Sequence, residues 1–151
     1  MKPELELVFE ARAELEAAMV LGETPVGQRR VVPITGGTFS GPKLRGEIVG
    51  GGADWQYTRP DGVAVLEARY LLRTHDEVLI QVDNIGLRHG PEDVLRRVAA
   101  GEPVDPKEYY FRAAPSFSAP KGPYDWLNKS LFLCSGQRFA RAVALWIYRV
   151  A

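Results

Sequence analysis

From Leu5 to Leu15 the chain alternates. The odd positions carry Leu5, Leu7, Phe9, Ala11, Ala13 and Leu15, and the even ones are mostly Glu and Arg. Successive side chains of a strand point to opposite faces, so a period of two over a run this long specifies a strand with one buried face. Residues 10 to 18 are rich in Ala and Glu, which favour helix in isolation. Propensity is the weaker constraint, and the alternation decides the reading.

The same pattern returns along the chain. Leu44 to Val49 reads as a strand. Val63 to Arg73 places Ala64, Leu66, Ala68, Tyr70 and Leu72 on one face, and Val78 to Asn84 resumes after the polar turn Thr74–Glu77. Residues 63 to 87 therefore predict a long hairpin. Arg59-Pro60-Asp61-Gly62 is a turn, with Pro presetting one dihedral and Asp and Gly closing it. Arg30 to Thr35 predicts a short strand whose Pro33 suits an edge or a bulge. Leu21 to Gly27 reads as a connection, and Gly36 to Pro42 as a turn. Glu108 to Ala113, Ser130 to Leu133 and Ala142 to Val150 complete the strands. One helix is expected between Pro91 and Gly101, with acids in its first turn, basic residues later and a terminating glycine.

About eight to ten strands and one or two short helices, without a linker or repeat, predict a single all-β, mainly antiparallel domain over residues 1–151. The chain begins and ends with a strand, and closure into a barrel is the simplest way to remove the open edges.

Composition narrows the function classes. The formal charge is zero, with 19 basic and 19 acidic residues, so a nucleic-acid partner is not expected. No apolar run is long enough to span a membrane as a helix, and the N-terminus lacks the pattern of a signal peptide. One cysteine, Cys134, excludes an internal disulfide and reads as a small buried residue. A cytoplasmic setting is the default expectation.

Familiar catalytic motifs are absent. Gly36 to Lys43 is only loosely like a phosphate-binding loop, because no Ser or Thr follows Lys43 and no helix is expected there. His75 and His89 lie by turns without a partner at metal-ligand spacing, so no metal site and no cofactor are predicted. A nucleophile elbow is missing.

What remains is a scattered set of polar and aromatic residues. Asp54 and Trp55 follow the glycines Gly50-Gly51-Gly52; Arg69 and Tyr70 lie mid-strand, as does Arg112; Asn84 ends a strand; Tyr124, Trp126 and Asn128 crowd one short segment. The glycines are expected to let a strand bend and to aim Asp54 and Trp55 at the barrel interior or mouth, near Arg69. An arginine in an apolar strand must find an acceptor. Arg69 can pair internally, with Asp54 or Glu67, or Arg69 and Arg112 can hold an anionic or phenolic ligand within an aromatic cup.

The ordered segments "GGGADW", "ARYLLRTHD", "VDNIGLRHG", "YYFRAAPSF" and "YDWLN" resemble the family filed as domain of unknown function 3237, also called uncharacterised protein family 0311. The likeness runs over about residues 5 to 150. It implies a closed antiparallel barrel of the lipocalin-like, or calycin-like, kind and no established activity. The family pattern matches at Asp54, Trp55, Arg69, Tyr70, Asn84, Gly86, Arg112, Trp126, Leu127 and Asn128, and departs at the His75-Asp76-Glu77 turn.

Three functions are compatible with these residues. The first is a barrel that binds a small aromatic or carboxylate metabolite through Arg69, Arg112 and Asn84. The second is a cofactor-free isomerase, lyase or cyclase, with Asp54 as general acid or base and Arg69, Tyr70 or Arg112 stabilising an oxyanion. The third is a structural module with a filled interior, and exposed strands and aromatic residues are compatible with a homodimer. A raised Asp54 pKa favours the enzyme; an ordinary one with a tight Arg69 pair favours the binder.

Overall fold

The computed structural model describes residues 1–151. Nine strands follow in chain order: β1 (Leu5–Leu15), β2 (Met19–Thr24), β3 (Gly27–Ser40), β4 (Arg45–Thr58), β5 (Ala64–Thr74), β6 (Leu79–His89), β7 (Tyr110–Ser118), β8 (Phe132–Arg138) and β9 (Ala142–Val150). A single helix, α1 (Glu92–Ala99), lies between β6 and β7, and short 3₁₀ turns cover Pro106–Glu108 and Asp125–Lys129. All neighbouring strands are antiparallel. The sheet runs β1-β9-β8-β7-β6-β5-β4-β3-β2 and closes through β1 pairing with β3. The barrel expectation holds.

Closure depends on β3, which is longer than the sequence pattern suggested. Its first half pairs with β2 and its second half with β1. Leu21–Thr24, expected as a connection, belongs to β2, and Gly36–Ser40, expected as a turn, continues β3. The glycines serve close approach there and not reversal: a Cβ on Gly37 would collide with the carbonyl oxygen of Arg12 on β1, and the residue sits at φ +137°. Pro33 lies inside the strand, near the point where the register of β3 against β4 shifts.

The alternation of β1 also has a break. The register shifts between Leu7 and Phe9, so Val8, Phe9, Ala11, Ala13 and Leu15 are buried while Leu5 and Leu7 face out. Glycines 50 to 52 lie within β4, and the register against β5 jumps from Val49–Leu71 to Ala53–Arg69. This is the anticipated bend. The Arg59–Gly62 turn also forms as expected. Gly62 N–H donates to the Arg59 carbonyl at 2.9 Å, and Arg59 pairs with Asp61 at 2.6 Å.

The interior is uneven along its axis. Phe9, Phe39, Phe117 and Phe132 interlock at one end, with ring centroids 4.9 to 6.1 Å apart. The segment between β7 and β8 closes that end with Leu127, which is fully buried. Toward the other end the inward positions are small or polar, including Ala13, Ala68, Ala113 and Asn84. The barrel is solid at one end and hollow at the other, and α1 lies at the hollow end. No helix is long and apolar enough to cross a membrane.

Candidate functional site

The hollow end encloses a cavity of about 50 Å³. Its wall is mostly apolar, with Leu66, Phe111, Val143 and Leu145 among its residues, and it receives Asp54, Gln56, Tyr70, Asn84, Arg88 and Arg138. Period-two alternation supplies these groups in sets. Asp54 and Gln56 share the inner face of β4, Ala68 and Tyr70 that of β5, and Asn84 and Arg88 that of β6.

Three buried side-chain atoms have no hydrogen-bond partner: Asp54 Oδ1, Tyr70 Oη and Asn84 Oδ1. All three residues line this one cavity. Buried polar groups are nearly always paired, and an orphan costs about 1–3 kcal/mol. Their meeting in one place makes this cavity the candidate site.

Asp54 is half-buried because it borders the cavity, but its Oδ1 is shielded from bulk solvent. Its Oδ2 accepts from Gln56 Nε2 at 2.7 Å, and Gln56 Oε1 accepts from Arg30 Nε at 2.8 Å. Arg30 thus orients the Gln56 amide, and the amide anchors one carboxyl oxygen. Burial pushes the Asp54 carboxyl above the ordinary carboxylate range, against the opposing pull of Gln56, Arg88, the Glu67 backbone and Arg30. Burial likewise holds the Tyr70 phenol firmly protonated, reinforced by Cys134 and Asp54. Tyr70 is therefore a donor without an acceptor. Burial pushes the Cys134 thiol up to about 12, which leaves it unreactive at neutral pH.

Of the residues singled out from the sequence, Asp54, Tyr70 and Asn84 meet at the cavity. Trp55, Arg69 and Arg112 do not. Trp55 is 47% exposed on the outer wall. Arg69 is directed outward and pairs with Asp83 at 2.6 Å, not with Asp54 or Glu67. Arg112, also outside, donates to the Phe111 carbonyl at 2.9 Å and lies over the Tyr110 ring. The physical reason is the strand period itself: Trp55 adjoins Asp54 and Arg69 adjoins Tyr70, so each pair must split across the wall.

Tyr124, Trp126 and Asn128 are likewise away from the cavity, at the plugged end. Tyr124 donates to Asp76 Oδ1 at 2.7 Å, Trp126 sits beneath the Lys43 ammonium at 5.3 Å, and Asn128 brackets Ala119 by accepting from its N–H and donating to its carbonyl. They close the barrel. Gln56, Arg30, Arg88 and Arg138 were not anticipated. A signal for two of them was present, since Gln56 lies two residues after Asp54 and Arg88 four after Asn84, on the same faces.

A model of the family described as "Protein of unknown function (DUF3237)" matches residues 3–150. The UPF0311 protein RPA1785 of Rhodopseudomonas palustris is 40% identical over 152 residues, covering 99% of both chains. Its crystal structure superposes with a TM-score of 0.96, over 100% of this chain and 99% of that one. A β-barrel-like protein from Acinetobacter baumannii is 38% identical with a TM-score of 0.87, covering 100% of this chain and 98% of its own. An enzyme from Penicillium herquei, 20% identical with a TM-score of 0.75 over 100% of this chain and 96% of its own, shares the fold.

Proposed function

The chain belongs to the DUF3237 family, the UPF0311 proteins, and from that premise we propose that it is an acid–base catalyst acting on a small molecule held in the hollow end of its barrel. The observation that carries the proposal is the convergence of three unpartnered buried polar atoms, from Asp54, Tyr70 and Asn84, on one cavity. A barrel that was merely filled would satisfy its interior polar groups internally.

The roles follow from the atoms. Gln56 holds Asp54 Oδ2, which leaves Oδ1 to take a proton from a substrate C–H or O–H and to return it elsewhere on the same molecule. A carboxyl whose pKa is raised above the ordinary carboxylate range is better matched to both steps than an ordinary one. The Tyr70 hydroxyl donates to the substrate oxygen on which negative charge collects. Asn84 Oδ1 accepts from a substrate hydroxyl and fixes its orientation. Isomerisation, elimination and ring closure all use this set. The raised carboxyl and the absence of an Asp54–Arg69 pair favour turnover over simple binding.

Proton exchange reports catalysis whichever product forms. The protein is incubated in D₂O with small enolisable ketones, keto acids and phenols, and proton exchange or product formation is followed by NMR. Exchange or conversion that disappears in Asp54→Asn is expected. Exchange that persists in Asp54→Asn, or none with any compound, overturns the proposal.

A further inference from the structure

Arg88 is only 9% exposed, yet no ion pair of the structure reaches it. Its guanidinium lies over the Phe111 ring at 5.6 Å. A guanidinium carries five N–H donors in a rigid fork, and burying it without an acceptor is costly. Two further arginines share its surroundings. Arg30 spends one N–H on Gln56, and Arg138, half-buried at the end of β8, forms no ion pair. The sole acid among the groups that line the inner cavity with Arg88 and Arg138 is Asp54, and Arg30 is tied to it through Gln56. Three cations face one carboxyl.

The arginines also sit at a junction. Arg88 and Arg138 line the inner cavity, and together with Arg30 they line an outer cleft of about 270 Å³. The cleft is also lined by Leu95 and Val98 of α1 and by Phe139. A molecule entering from this cleft passes the arginines before it reaches Asp54, Tyr70 and Asn84.

We infer that Arg30, Arg88 and Arg138 bind the oxyanion head of an organic acid, a carboxylate or a phosphate ester, and that the reacting end of the molecule enters the barrel at Asp54. The inference rests on the acid–base reading for its inner half and on the arginine cluster for its outer half. Guanidinium forks match the planar pair of carboxylate oxygens and the oxygens of a phosphate equally well. Such a head supplies the acceptors that the buried Arg88 lacks. The inner cavity, about 50 Å³ and walled by Leu66, Phe111 and Leu145, takes only a few carbon atoms, and a larger apolar body rests against Leu95, Val98 and Phe139 in the cleft of about 270 Å³.

Binding of benzoate, phenyl phosphate and the neutral benzamide is measured by calorimetry and by thermal shift. The wild type is compared with Arg88→Gln, Arg138→Gln and Asp54→Asn. At least one anion is expected to bind tenfold or more tightly than benzamide, and to lose that advantage in Arg88→Gln and Arg138→Gln. The tighter of the two anions identifies the head group. Asp54→Asn is expected to keep the preference, which separates this inference from the acid–base reading, where Asp54→Asn abolishes proton exchange. Circular dichroism establishes that each variant is folded, and Arg30→Gln provides a second route should Arg88→Gln unfold. Equal responses to all three probes, including no response, or a preference that survives in Arg138→Gln and Arg30→Gln, overturn the inference.

Discussion

Gln56 donates to Asp54 Oδ2 across 2.7 Å and leaves Oδ1 of the same carboxyl buried without a partner. One oxygen is anchored and the other is free, which is the asymmetry that a proton-transferring carboxyl requires. The anchor is itself held by Arg30, so the geometry of Asp54 is set by a chain of contacts reaching from the barrel mouth.

Asp54→Asn separates activity from stability. The folded-state pKa of Asp54 is raised above its unfolded value of 3.8, so the native state binds the proton more tightly than the unfolded chain does. The ionised form costs stability, a cost that is absent below pH 3.8 and grows as pH rises toward the folded pKa. Asn is neutral throughout. Asp54→Asn is therefore expected to be more stable than the wild type at pH 7 and indistinguishable from it near pH 3. Urea unfolding at the two pH values checks this; a variant less stable at pH 7 contradicts the burial of an ionisable Asp54.

Tyr70→Phe removes a buried hydroxyl that bonds to nothing. Deleting an unsatisfied polar atom in a close fit is neutral to stabilising, within about 1 kcal/mol. Its loss of turnover should be about 100-fold or more if the hydroxyl stabilises an oxyanion. Thermal melts and rates on any substrate found by the exchange screen give both numbers. A strongly destabilised Tyr70→Phe would reveal a structural hydrogen bond.

Tyr124→Phe should show the reverse. Its hydroxyl donates to Asp76 at the plugged end, a hydrogen bond strengthened by the charge of its acceptor. The Asp76 carboxyl is held below the ordinary range chiefly by Thr74 and then by Tyr124. The variant should melt lower and bind benzoate or phenyl phosphate unchanged, as read by calorimetry.

Arg69→Ala tests the outer wall. Arg69 is 74% exposed and its pair with Asp83 is a surface ion pair, worth about 0–1 kcal/mol. Neither stability nor ligand affinity should change measurably. An affinity change of tenfold would require a binding site on the outer face, near Trp55.

The strand period made most of the barrel legible. The buried face of β1 from Phe9 onward, the hairpin of β5 and β6, the Arg59–Gly62 turn and α1 can all be read locally, because alternation, turn chemistry and capping are properties of neighbouring residues. The bend at the three glycines was legible for the same reason. Errors arose where glycine pairs had two uses. Gly36-Gly37 looks like a reversal but allows β1 to approach β3 closely, and only the partner strand distinguishes the two.

The site divided in a similar way. Alternation alone assigns Asp54 and Trp55 to opposite faces, and Arg69 and Tyr70 likewise. Which member of each pair lies inside depends on how the closed sheet curves. Residues as distant as Arg30, Asp54, Arg88 and Arg138 meet only because β3, β4, β6 and β8 wrap one interior, and their shared location at the hollow end depends on which end the aromatic residues fill. Local sequence determined the strands and their two faces; closure of the barrel decided which face is inside and which charges share it, because inside and outside are properties of the whole closed sheet and of no single strand.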